Sequence, residues 1–122
     1  MAKVFLDTNI FIDVVHRNPE KEVLNSLSNH IVLISLLSVH IYCYTFKIDV
    51  LKSEVQKQTS KFKLINLDTR IYNKSATGPT SDLEDNIQLH SAAEADCDIF
   101  LTSDKKLLKL GYFGKMRISD HL

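Results

Sequence analysis

Val4-Phe5-Leu6-Asp7-Thr8-Asn9-Ile10-Phe11 decides how this chain is read. Three apolar residues are followed by an acid and two polar residues, and then Ile10, Phe11, Val14 and Val15 recur at helical spacing. A short apolar strand that enters a helix through a polar turn is the unit from which parallel sheets are built. Similar runs occur at Ile31-Val32-Leu33-Ile34, at Leu64-Ile65 with Leu67, and at Ile99-Phe100-Leu101. They mostly do not alternate with polar residues, which predicts strands covered on both faces. A last short strand, Met116 to Ile118, comes after a loop or short helix around Lys105 to Leu110.

Helical patterns fill the intervals. Pro19 opens a second helix carrying Val23, Leu24 and Leu27, and residues 38 to 47 and 49 to 61 read as two more. The clearest helix start is Thr80-Ser81-Asp82-Leu83-Glu84-Asp85. There Ser81 and Glu84 have the form of a capping box, and Gly78-Pro79 stops anything before it. This helix is predicted to run to about Ala95. Strands alternating with helices, joined by right-handed crossovers, predict a three-layer α/β/α sandwich around a central, mostly parallel sheet.

A chain of 122 residues with 44% apolar and 25% charged residues, three Gly and two Pro fits one domain with a real core. Lys plus Arg (15) cancels Asp plus Glu (15), so total charge does not point to a nucleic-acid or membrane partner. Cys43 and Cys97 lack paired spacing, which predicts small core residues in a reducing cytoplasm rather than a disulfide or a zinc site. The stretch before Asp7 is too short for a signal peptide, and no run approaches the roughly 18 apolar residues of a membrane helix. His16, His30, His40, His90 and His121 show no metal-ligand pairing. Tyr42, Tyr44 and Phe46 are expected in the core or at a subunit interface.

Local charge says more. Lys47 to Lys63 carries five Lys against Asp49 and Glu54, and Asp104 to Arg117 carries five bases against one acid. Residues 64 to 103 hold seven acids against Arg70 and Lys74. In open parallel sheets ligands bind beyond the carboxyl ends of the strands. The first four strands end in Asp7, Ser35, Asp68 and Thr102-Ser103-Asp104 in turn. Asp82 and Asp85, three apart, share one face at the start of the capped helix. Each acid also has a structural reading, as helix cap, dipole partner or turn residue. If they converge, they must be protonated, paired with Lys, or neutralised by a divalent cation. An all-oxygen set without His or Cys suits Mg²⁺ or Mn²⁺, the chemistry of phosphodiester hydrolysis.

Val4 to Asn9, Ile34-Ser35-Leu36-Leu37-Ser38, Asp82-Leu83-Glu84-Asp85-Asn86 and Leu101-Thr102-Ser103-Asp104-Lys105 resemble, in order and spacing, the motif series of PIN domains. The resemblance covers almost the whole chain and is closest to small bacterial PIN proteins similar to VapC-type toxins, in a subgroup with this Asp-Leu-Glu-Asp helix start. It implies a Mg²⁺- or Mn²⁺-dependent endoribonuclease, often held inactive by an antitoxin protein. Asp7, Asp85 and Asp104 match the family's metal-binding acids, Asp82 an additional or water-mediated ligand, and Asn9 and Ser38 positions that orient the acids. A homodimer without membrane association is expected. Lys105, Lys106 and Lys109 are the first candidates for the RNA backbone, followed by Lys52, Lys57 and Lys61. One departure stands out: Ile41 occupies the place of a usual Glu on the helix after the second strand. That leaves a second reading, a degenerate PIN module that binds nucleic acid or a partner protein without cutting. A phosphoacceptor receiver domain is disfavoured, because Asp7-Thr8-Asn9 lacks its acidic pair and Ser119-Asp120 its Lys.

Overall fold

The strands are β1 (Lys3–Leu6), β2 (Ile31–Ser35), β3 (Lys63–Ile65), β4 (Ile99–Leu101), β5 (Tyr112–Phe113) and β6 (Met116–Ser119), joined in one sheet of order β3-β2-β1-β4-β6-β5. This arrangement comes from a computed structural model that describes residues 1–17 and 22–122. Every pairing is parallel except β5 with β6, a hairpin turned at Gly114, whose φ of 61° suits a residue without Cβ.

The helices are α1 (Thr8–Ile12), continued by a π-helical turn Asp13–Arg17, then α2 (Glu22–Leu27), α3 (Leu36–Thr45), α4 (Val55–Thr59), α5 (Thr69–Ser75), α6 (Leu83–Glu94) and α7 (Lys105–Leu108). Alternate residues of β1 point to opposite faces. Val4 and Leu6 pack with Phe11, Val14, Leu27, Ile34 and Tyr42, whereas Phe5 packs with Leu33, Leu89, Phe100 and Leu107. Two cores separated by the sheet are what a three-layer sandwich requires. Phe5 stands between Leu33 of β2 and Phe100 of β4, and its ring stacks on Phe100 at 5.6 Å. Burying each such ring stabilises by about 1.5–3 kcal/mol.

The expected α/β sandwich is therefore present, with differences in detail. Strand β3 lies at the sheet edge, so Leu64 is 41% exposed rather than covered on both faces, and Leu67 just beyond it is 40% exposed. Helix α3 starts at Leu36, two residues earlier than expected, because Ser35 caps it by accepting from the Leu37 N–H at 3.0 Å. The helix expected over 49 to 61 shrinks to α4; Asp49 instead caps a turn through the Leu51 N–H. Pro19 and the side chains of Val23 and Leu24 lie outside the described residues, and Leu27 of the expected second helix is buried. Helix α6 is capped by Asp82, which accepts from the Asp85 N–H at 3.0 Å, rather than by Ser81. Asn86 enforces this, since its side-chain oxygen accepts from both the N–H and the hydroxyl of Thr80 and fixes the preceding turn.

Cys97 is buried in the second core and Cys43 packs on the first; both are free thiols. Burial pushes the Cys97 thiol up to about 11, against a smaller lowering by Lys3, so it is an inert packing residue. Tyr42 is buried and Phe46 packs against the same core, but Tyr44 is 79% exposed. Among the described residues no helix is long and apolar enough to cross a membrane.

Candidate functional site

Three acids at one edge of the sheet each cap a helix, two of them shortly after a strand. Asp7 leaves β1 and caps α1, Asp104 comes after β4 and caps α7, and Asp82 caps α6. Capping and site geometry are thus the same fact: a carboxylate that accepts an amide at a helix N-terminus is held there by that bond and by the positive end of the backbone dipole.

Asp7 is the most firmly held. Its backbone N–H donates to the Leu101 carbonyl at 3.0 Å, its Oδ1 accepts from the Thr8 N–H at 2.9 Å, and its Oδ2 accepts from the Thr102 hydroxyl at 2.8 Å. Thr102 Oγ1 in turn accepts from the Asp104 N–H at 3.0 Å, so one buried hydroxyl couples the ends of β1 and α7. Beneath Asp7 lies a buried polar triangle: Thr8 Oγ1 and Ser38 Oγ lie 2.9 Å apart, and Gln88 Nε2 donates to each at 3.0 Å. It ties α1, α3 and α6 together below the site. Gln88 Oε1 is buried without a partner, so Gln88→Leu removes that costly orphan along with the two donated bonds, and the expected loss of stability in urea unfolding is only about 1 kcal/mol. A variant as stable as the wild type would show that the triangle holds nothing.

Asp7, Asp82, Glu84, Asp85 and Asp104 line one cavity of about 300 Å³ at the carboxyl edge of the sheet. A second cavity of about 310 Å³ shares Asp82, Asp85 and Asp104 and is bordered by Lys106. None of the five carboxylates forms a salt bridge with a described base. Their proton affinities reflect this. Burial raises the pKa of Asp7; the Thr102 and Thr8 hydrogen bonds offset part of that, and repulsion from Asp104 and Asp82 adds to it. Glu84 is raised by burial and by Asp7 and Asp82. Asp85 is pushed up to about 6 by burial and then by Asp82, Asp7, Asp104 and Glu84.

The sequence-derived acids Asp7, Asp82, Asp85 and Asp104 therefore share a pocket. Two companions differ from expectation. Ser38 does not reach an acid; it acts one step away, through Thr8, whose own amide holds Asp7. Asn9 lines the cavity, but its carbonyl oxygen accepts from Arg17 Nη2 at 3.0 Å and it makes no bond to a site carboxylate. Of the three lysines after Asp104, all exposed, Lys106 borders the acids, while Lys105 and Lys109 line neither of the two acidic cavities. Asp68 caps α5 through the Ile71 N–H and lines a different cavity with Lys63, Arg70 and Glu94.

Sequence reasoning placed Thr102 at the strand end without a role and missed Glu84, Gln88 and Arg17 as site residues. Ile41 does line the cavity, so an apolar side chain stands at that wall, but Glu84 supplies a further carboxylate to the same space. The all-oxygen donor set with uncompensated negative charge fits a hard divalent cation such as Mg²⁺ or Mn²⁺. Among the described residues no group of three or more His, Cys, Asp or Glu side chains lies close enough as it stands to hold a metal ion.

The sheet order, the helices on both faces and the acidic strand ends define a PIN-like α/β fold. No protein-family model matches the chain, and no curated protein does. Among solved structures, the chain is similar to one in the crystal structure of VapBC2 from Rickettsia felis bound to a DNA fragment from its promoter. The TM-score is 0.68 at 15% identity, covering 96% of this chain and 97% of that one. At that identity the likeness establishes the fold, which is VapC-like over its full length.

Proposed function

We propose that this chain is a Mg²⁺- or Mn²⁺-dependent endoribonuclease and the toxin of a toxin-antitoxin pair. The observation that carries the reading is the convergence of five carboxylates from three chain segments, none in a salt bridge with a described base, on one cavity of a VapC-like fold. Asp7, Asp85 and Asp104 would hold the cation, with Asp82 beside them. A divalent cation held there supplies Lewis acidity toward a phosphodiester and neutralises its charge. The chain's own groups do the rest. The Thr8 amide and Thr102 hydroxyl occupy one lone pair on each Asp7 oxygen and fix the remaining pairs in direction. Glu84, which lines the cavity and has a raised proton affinity, would take a proton at its carboxylate from an attacking water. Lys106, next to the acids, with Lys105 at the start of α7 and Lys109 just past its end, would hold the RNA backbone. A protein partner is supported by the neighbour, which is a VapBC complex. Homodimerisation is part of the same proposal.

Incubation of the protein with single-stranded RNA is expected to give cleavage with Mn²⁺ and none in EDTA, and co-expression with a small protein encoded beside it should suppress toxicity. RNA affinity should fall with salt by about 0.7 log units per log unit for each phosphate contact. Ile41 gives the second reading its observation: RNA that is bound but intact at every metal level would make this a binding module without hydrolysis.

A further inference from the structure

Arg17 ends the π-helical turn after α1, and its side chain lines the same cavity as Asp7, Glu84 and Asp85. It is the one base among the described residues lining that cavity, against five acids. Opposite charges that share a pocket ordinarily pair, yet these do not. Arg17 Nε donates to Asp13 Oδ1 at 2.9 Å, and Nη2 donates to the Asn9 carbonyl at 3.0 Å and reaches Asn9 Oδ1 at 3.5 Å. Both partners belong to its own helical segment, so in this arrangement the guanidinium is held by α1 and the turn after it rather than by the site carboxylates. Its side chain remains 44% exposed. The device that places it is a π-helical turn, a departure from regular helix that is frequent at functional sites.

A pocket with five carboxylates repels the polyanion that the nuclease reading requires as substrate. A planar, permanently charged donor fork that lines the acids' own cavity is suited to a phosphate, whereas Lys105 and Lys109 line neither that cavity nor its neighbour. We propose that Arg17 is a phosphate-binding residue that draws the backbone of single-stranded RNA into the carboxylate pocket. This rests on the ribonuclease reading and adds to it the group that receives the anion.

The test measures binding of a short fluorescein-labelled single-stranded RNA by anisotropy, with Ca²⁺ replacing Mn²⁺ so that affinity is read apart from cleavage. Arg17→Gln is expected to weaken binding about tenfold or more, as for loss of a charge-assisted contact. It should also reduce the slope of log affinity against log salt by about 0.7. Arg17→Lys should restore part of the affinity and most of the slope, since it returns the charge without the fork. Mn²⁺ binding measured calorimetrically without RNA should be unchanged or tighter in Arg17→Gln, because a positive charge near the cation is removed, and the thermal midpoint should scarcely move. Wild-type RNA affinity and salt slope in Arg17→Gln would overturn the proposal. So would parallel loss of RNA binding, Mn²⁺ binding and thermal stability, which would make Arg17 a structural brace. A wild-type protein that binds neither Mn²⁺ nor RNA would defeat the nuclease reading itself, an outcome distinct from either.

Discussion

Asp85→Asn is expected to abolish RNA cleavage and, in EDTA, to raise the unfolding midpoint. Loss of one carboxylate from the cation site should cost more than loss of an outer partner, about a hundredfold or more in activity. The gain in stability has a separate cause. Asp85 is pushed up to about 6 by burial and by Asp82, Asp7, Asp104 and Glu84, so its charged form is disfavoured in the folded protein. A neutral amide of the same shape removes that penalty. Asp85 is only half-buried, and after solvent screening the benefit is about 1 kcal/mol, or about 3–5 °C. Cleavage assays and thermal melts check both halves. A structural acid would behave in the opposite way: Asp85→Asn would melt lower and cut as before.

Mn²⁺ affinity should fall by about tenfold between about pH 7.5 and about pH 5, as protons compete for Asp85. The raised Asp7 and Glu84 steepen the fall. The sign is set by linkage. An acid whose folded pKa lies above its ordinary 3.8 takes up protons on folding between that value and about 6, so the free protein loses stability as pH rises through this window. The cation reverses the trend, because it binds the ionised form. Thermal melts with and without Mn²⁺ should therefore diverge widely at neutral pH and nearly coincide at about pH 4. A shift of equal size at both would show the cation binding elsewhere.

The strands and the acidic edge were legible because apolar runs end abruptly in Asp7 and in Thr102-Ser103-Asp104, and because both faces of the central strands are buried. Helix α5 was not, since Thr69–Ser75 is mostly polar and offers Ile71 as its buried apolar residue. Its one signal was Asp68 three residues before Ile71, an N-cap read instead as a strand-end acid. Strand β5 has two residues and exists because Gly114 turns the chain back onto β6. Asp7 and Asp104 were legible as strand-end acids and Asp82 and Asp85 as a pair three apart, whereas Glu84 was passed over because a capping box accounted for it. Gln88 could have been noticed as a polar residue among the core positions Ile87, Leu89 and Ala92. Arg17 could not be found from regular helical spacing, because the π-helical turn changes which residues share a face.

The central claim is that carboxylates from the ends of β1 and β4 and from the start of α6 hold one hard cation between them. Anomalous diffraction from crystals soaked in Mn²⁺ tests it most directly. The account predicts a single strong peak in the cavity, with oxygens of Asp7, Asp85 and Asp104 drawn to within about 2.0–2.3 Å of it. A cavity without a peak, with those oxygens still apart or bound to lysine ammonium groups, would contradict it.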